Sequence, residues 1–335
     1  MALICSRCGY YNSRIRKTCA LCNEPLRDNA APAERRYSFY DIQASNRRKS
    51  ILLIVLLSSI LLLIGYGAGL YFGNTYYGLA IALGIALILN FTAYRGGKAI
   101  VLKTAGAVKA DSNEHRQLIN IVEEMSIAAG IRMPEVYVIK TNAMNAFATG
   151  KSPDDSAIAV TTGLIDRLSR DELTGVIAHE MSHVKNMDIR FAMYAGVLVG
   201  SIIILSDMIL RFIWLGSGRR RRNEGGGGIM IIVIIVLAVI APLLSKLIQM
   251  SVSRKRELLA DSSAAELTRN PGVLADALEK IALSFENKET KMKKPSRALQ
   301  HMYILNPLQK AGEKSGGLFS THPPAVSRIR ILRSM

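Results

Sequence analysis

Apolar and polar positions follow three different rhythms along this chain. The slowest is a continuous run, Ile51 to Gly73, without a single charged residue. A run of that length, coiled as a helix, crosses a hydrocarbon core of ~30 Å. A short polar turn, Asn74-Thr75-Tyr76-Tyr77, leads into a second apolar run from Gly78 to Tyr94. Residues 51–94 therefore read as a transmembrane hairpin. Two later apolar segments, 192–215 and 229–250, are less clean, because Asp207, Arg211 and Lys246 interrupt them. They either cross the bilayer or lie shallow in it. The second rhythm has the period of a helix. It marks an amphipathic helix from Glu114 to Ala129, stopped by Gly130, and a short one within Pro323 to Met335 with Pro at its start. Ser169-Arg170-Asp171-Glu172 is a capping box, and Leu173, Val176, Ile177 and Val184 give the helix after it an apolar stripe. The third rhythm is strict alternation, which predicts strands at Glu135–Ile139 and Ala157–Thr161.

These elements predict a mainly α membrane protein: four hydrophobic helical segments joined to an α+β domain, preceded by a small N-terminal module. The divisions are 1–26 for that module, 27–50 for a polar linker and 51–94 for the hairpin. The α+β domain follows over 95–191, is interrupted by the second hydrophobic pair over 192–250, and resumes over 251–335.

Composition narrows the setting. Half of the 335 residues are hydrophobic and the formal net charge is +17. In a membrane chain such an excess marks Lys- and Arg-rich cytoplasmic loops before it marks nucleic-acid binding. Arg47, Arg48 and Lys49 precede the first span, and Arg95, Lys98 and Lys103 follow the second. That places both outer ends of the hairpin in the cytoplasm, with the N-terminal module and the α+β domain on that side. Arg219–Arg222, between the last two apolar segments, runs against the same rule if that pair spans. Residues 1–26 lack the apolar core of a cleavable signal peptide.

All four cysteines fall in the first 22 residues, as Cys5-x2-Cys8 and Cys19-x2-Cys22. Two such knuckles suit a tetrahedral structural zinc, and nothing in the chain suggests the oxidising compartment that disulfides need. With Asn12 between the pairs, the spacing resembles the small zinc fingers of the Ran-binding-protein type over about 25 residues. The tryptophan usual two positions before the first cysteine is Leu3 here. The resemblance therefore implies a structural or docking module whose partner is not specified.

The chemistry is concentrated at His179-Glu180-x-x-His183. Four residues apart on a helix, the two imidazoles share a face and can bind one Zn²⁺, while Glu180 falls where a carboxylate can take a proton from the attacking water. A third ligand and a group orienting a ligand histidine are still required. Glu257 and Asp261, four apart in Arg254-Lys255-Arg256-Glu257-Leu258-Leu259-Ala260-Asp261, suit those roles. Glu266 points to the opposite face, and Asp188 reads as closing the helix end. Asn145-Ala146-Phe147-Ala148-Thr149-Gly150 precedes the metal helix, and a strand there is either an ordinary sheet strand or one that pairs with an extended peptide. His115 and His301 have no partner at ligand spacing.

His179-Glu180-x-x-His183, the apolar segments after it, and Ser253-Arg254-x-Arg256-Glu257-x-x-Ala260-Asp261 resemble the HtpX-type membrane zinc endopeptidases, relatives of the CAAX prenyl proteases. Asn145–Gly150 and Ser320-Thr321-His322-Pro323 extend the resemblance, which covers about residues 50–335. It implies a gluzincin-like catalytic domain with His179, His183 and Glu257 as zinc ligands, Glu180 as general base and Asp261 behind a ligand. It also implies that His322 and Arg328 steady the substrate carbonyl. The expected protein is an integral-membrane, zinc-dependent endopeptidase of the plasma or inner membrane. Its active site is cytoplasmic and its substrates are proteins or peptides exposed near the bilayer, as in membrane-protein quality control. The rival reading is a membrane-anchored zinc-finger adaptor without proteolytic activity. Against it, a closed structural zinc site uses four protein ligands, whereas this chain offers three and a carboxylate placed as a base.

Overall fold

The computed structural model describes residues 3–4, 11–12, 18, 39–71, 73–198, 200–201, 254–284, 299, 302–304 and 324–335. Cys5, Cys8, Cys19, Cys22, His322, Asp207, Arg211, Arg219–Arg222 and the fourth apolar segment lie outside them. The chain divides into two compact units, Met1–Asp41 and Ile42–Met335. In the first, β1 (Leu3–Ile4) pairs antiparallel with β2 (Tyr11–Asn12).

Two long helices form the hairpin, α1 (Phe39–Tyr71) and α2 (Thr75–Thr104). Both outrun the apolar runs that predict them. The second half of the expected linker is already helical, and α2 continues ten residues past Tyr94. The expected polar turn also shortens, because Asn74 caps α2 by accepting the N–H of Tyr77 at 3.3 Å. Each helix is long and apolar enough to cross a membrane, and only 24% and 17% of their apolar windows are buried. A core helix of a water-soluble domain would be mostly covered. Here Leu52, Leu63, Leu87, Ile88 and Phe91 stand exposed while Leu53, Leu57, Ala86 and Ala93 face inward. The two helices meet at glycine. A Cβ on Gly65 would overlap the Ala82 methyl and lie 2.6 Å from the Gly78 carbonyl oxygen, and one on Gly78 would lie 2.7 Å from Gly69 Cα. Only residues without side chains allow backbones that close.

After α2 comes a four-stranded sheet of β3 (Ala107–Lys109), β4 (Glu135–Ile139), β5 (Ala146–Ser152) and β6 (Asp155–Thr161), ordered β3-β4-β6-β5. β4 and β6 run parallel, with β5 between them in the chain; the other pairs are antiparallel. The expected loop Lys151 to Asp155 tightens to a hairpin turn with a register shift between Gly150 and Ser152. Gly150 takes φ 145° there, beside the backbone of Asp155 and Ser156.

Alternation along these strands divides the interior into two cores. Val136, Val138, Ala146, Ala148, Ile158 and Val160 face the helical layer. That layer holds α3 (Arg116–Ala129), α4 (Thr162–Arg167), α5 (Arg170–Lys185), α6 (Arg254–Thr268), α7 (Pro271–Ser284) and α8 (Ala325–Arg333). Gly130 ends α3 in the left-handed conformation at φ 67°. Ile139, Phe147, Ala157 and Ala159 point the other way, onto Leu53, Leu57, Ala93, Val101 and Phe191. The hairpin is thus part of the second core. Residues 188–198, helical from before the third apolar segment begins, join the same core through Phe191, Met193 and Tyr194.

Candidate metal centre

α5 carries the first two candidate ligands, and its start is fixed by the capping box the sequence predicts. Ser169 Oγ accepts the Glu172 N–H at 3.3 Å, and the Glu172 carboxylate accepts the Ser169 N–H at 2.8 Å. Lys280 of α7 adds an ion pair to Glu172 at 2.7 Å. Val176, Ile177, Ala178 and Met181 are fully buried, and each large apolar side chain so buried contributes ~1.5–3 kcal/mol. α5 lies between the sheet and α3, α6 and α7, with a Cβ on Gly175 only 2.9 Å from the backbone nitrogen of Leu274. The helix has little freedom to shift.

On that helix the rings of His179 and His183 stand 4.8 Å apart and nearly perpendicular. Glu257, in the first turn of α6, reaches between them: its carboxylate lies 3.8 Å from His179 Nε2 and 3.6 Å from His183 Nε2. One donor atom from each of the three residues falls within 4.8 Å of the others. Two donors ~2.0–2.1 Å from a tetrahedral zinc are separated by about 3.3 Å, and the two His–Glu257 spacings of 3.8 and 3.6 Å come within about half an ångström of it. Two imidazoles and one carboxylate are also the donor chemistry zinc accepts with a position left for water. The residues fit the ion.

Each ligand histidine is held from behind. Asp261 lies 3.0 Å from His179 Nδ1, the role its spacing from Glu257 predicts. Arg328 of α8 grips the same carboxylate with two donors, Nε at 2.8 Å and a terminal nitrogen at 2.6 Å, and gives a third bond to the Ile304 carbonyl at 3.1 Å. Its guanidinium also lies 3.5 Å from Glu257 and 3.4 Å from the His179 ring. Arg328 and Asp261 are both wholly buried. Burial opposes ionisation of Asp261, but the guanidinium and the bonds from His179 and Arg328 prevail and hold it at about 2. Burial, helped by the Arg328 charge, pushes His179 down, toward the neutral form that binds metal.

His183 has its own support. Its Nδ1 lies 3.1 Å from Asp188 Oδ2. This corrects the expectation that Asp188 merely closes the helix. Asn186 ends α5, Met187 takes the left-handed conformation at φ 58°, and the reversal returns Asp188 to the ring it has just passed. Arg256 reaches the other Asp188 oxygen at 3.2 Å, and Asn46 of α1 donates to it at 2.8 Å. No signal in the local sequence announces these contacts. Glu266 is exposed, away from the centre.

Glu180, between the two histidines, is 2% exposed. Burial raises its carboxyl to about 7, with Glu257 adding to the effect; His183, Arg328 and the Ala148 N–H, which it accepts, pull the other way. That N–H belongs to β5, at the outer edge of the sheet, since β6 is the only strand paired with β5 among the described residues. Within β5, Phe147 packs edge-on against Tyr303 with centroids 5.4 Å apart, and the Ala146 carbonyl accepts the Ile304 N–H at 3.1 Å. Asn145, immediately before the strand, is buried and accepts the Ala146 N–H on its side chain at 3.0 Å.

Residues 112–335, which contain all of these groups except Asn46, match the sequence pattern of peptidase family M48. The chain belongs to that family. Among M48 relatives, it is 42% identical over 299 residues to the protease HtpX homolog of Dictyoglomus thermophilum, covering 89% of this chain and 95% of that one. It is 42% identical over 301 residues to the homolog of Caldanaerobacter subterraneus subsp. tengcongensis, covering 89% and 98%. The Lactobacillus helveticus homolog is 39% identical over 303 residues, covering 88% and 99%. The crystal structure of S. mikatae Ste24p is similar with a TM-score of 0.43 at 18% identity, over 87% of this chain and 66% of that one. The chain is an HtpX-type membrane zinc metalloprotease of family M48, and His179, His183 and Glu257 form its catalytic zinc site.

Proposed function

We propose that this protease cleaves peptide bonds of proteins exposed at the cytoplasmic face of a plasma or inner membrane, in the quality control of membrane proteins. The domain plan that goes with it is a hairpin anchor over 51–94 and a catalytic domain in two parts, 95–191 and 251–335, around a second apolar pair. The observation that carries the catalytic reading is the buried Glu180 carboxyl, flanked on the same helix by two histidines that with Glu257 offer one metal three donor atoms. When bound, zinc supplies Lewis acidity to the scissile carbonyl and makes its water acidic enough to react near neutral pH. Glu180 takes the proton of the attacking water onto its carboxylate and returns it to the leaving amine nitrogen.

Extended substrate lies along β5, whose even-numbered residues point their backbone groups away from β6. The Ala148 carbonyl then offers a ladder bond, while the Ala146 carbonyl and the Ala148 N–H, held by Ile304 and Glu180, tie the strand to the site, and Asn145 and Phe147 set its position. Arg328 is a positioning residue in this reading, since it acts on His179 through Asp261. His322 is assigned to the developing oxyanion. Cys5, Cys8, Cys19 and Cys22 hold a second, structural zinc.

The test is casein cleavage by the purified full chain in detergent, with zinc content measured on the same samples. Glu180→Gln is expected to keep its metal and lose cleavage by at least a hundredfold. A variant that retains full cleavage would remove Glu180 from the mechanism.

A further inference from the structure

We propose that Asn46, on the first apolar helix, is a positioning residue for the zinc ligand His183, so that α1 is part of the metal site as well as an anchor. The side-chain amide of Asn46 is 2% exposed and divides its two N–H groups between the end of the metal helix and the residue behind its second ligand. One bond goes to the Asn186 carbonyl at 2.9 Å and one to Asp188 Oδ1 at 2.8 Å. Asp188 in turn presents its other oxygen to His183 Nδ1 at 3.1 Å. The carboxylate is thereby held from both sides, with Arg256 approaching the Asn46 side at 3.2 Å and Asn46 Oδ1 itself 3.5 Å from Arg256.

The arrangement repeats, with different parts, the support of the other histidine. Asp261 stands behind His179 and is fixed by Arg328, as Asp188 stands behind His183 and is fixed by Asn46 and Arg256. A ligand imidazole whose Nδ1 bonds a fixed carboxylate presents Nε2 to the metal in one tautomer and one orientation. Partners of this kind are worth roughly 10–100-fold in metal affinity. Met187 makes the extra support necessary. Its left-handed backbone, at φ 58°, is an unfavourable place for a non-glycine residue, and the Asp188 side chain needs anchorage beyond its own short turn. Asn46 supplies it from 142 positions away in the chain. The amide has to be neutral as well as a donor. An aspartate at 46 would keep the shape, face Asp188 with like charge, and lose both N–H groups.

The experiment is Co²⁺ titration of metal-free full chain in detergent, followed by visible absorption. Cobalt bound by nitrogen and oxygen gives weak d–d bands, whereas cobalt bound by thiolates adds intense sulfur charge-transfer absorption, so the catalytic site is read separately from the cysteines. Asn46→Asp and Asp188→Asn are each expected to weaken Co²⁺ binding at the nitrogen–oxygen site by roughly 10–100-fold. Their metal-free unfolding midpoints are compared with the wild type. Asn90→Ala is the control. Asn90 joins the two helices through Ser58 at 3.0 Å and touches nothing in the site, so it is expected to leave affinity unchanged. Asn46→Ala replaces Asn46→Asp if the latter is not recovered folded. Unchanged affinity in both variants overturns the proposal, as does an equal loss in Asn90→Ala. A loss in only one of the pair also overturns it, because Asn46 is required to act through Asp188.

Discussion

Removing the Arg328 side chain would strand Asp261, a wholly buried carboxylate, beside a ligand histidine. Breaking a buried pair from one side costs about 3–5 kcal/mol. Arg328→Ala is therefore expected to lower unfolding stability by that amount, measured by denaturant titration of the metal-free protein. Arg328→Lys keeps the charge but cannot make the two parallel bonds to Asp261, and a smaller loss is expected. Asp261 itself is legible in the sequence, because four residues after Glu257 it must share that ligand's helix face. The guanidinium that holds it is not, since nothing in local spacing brings residue 328 to residue 261. Asp188 is a subtler case. Read along the chain it is a polar residue at a helix end, and only the left-handed turn at Met187 converts it into a neighbour of His183.

At the scale of elements, the start of the metal helix was fully written in Ser169-Arg170-Asp171-Glu172, and the bonds of that capping box are the ones observed. The Glu172 carboxyl is lowered below its ordinary value. Burial opposes this, and the Lys280 ammonium and the Ser169 N–H outweigh burial. A carboxyl lowered on folding stabilises the fold above its unfolded pKa and loses that contribution as pH falls through its folded one. Glu172→Gln keeps the shape of the cap and removes the charge. It is expected to cost about 0.5–1 kcal/mol at pH 7, with the difference from wild type shrinking progressively as pH falls below the ordinary carboxylate range, by thermal unfolding across that range. Helix boundaries were less legible. Residues 39–50 look like linker by polarity, yet α1 already runs through them, because Asn46 and Ser50 are buried against protein on a helix that is elsewhere apolar. The strands were visible as alternation, but alternation alone does not say that both faces are covered. Here the face of Phe147, Ala157 and Ala159 packs on the hairpin and its neighbours.

For the whole molecule, the proposed topology puts the connecting turn of the hairpin across the bilayer from the catalytic residues. Tyr76, 85% exposed beside that turn, is the probe position. In intact cells, Tyr76→Cys is expected to react with a membrane-impermeant maleimide added outside, and Lys109→Cys to react only after lysis. The opposite pattern would invert the topology. The two supports of the metal centre also have a consequence in time. Asn46 leaves the ribosome well before Arg328, and each steadies one of the two ligand histidines. At ~5–20 residues per second, their emergence is separated by on the order of tens of seconds. Throughout that interval the nascent chain carries its histidines without the full scaffold around them, so this membrane protease cannot complete its active site until Arg328 has been made.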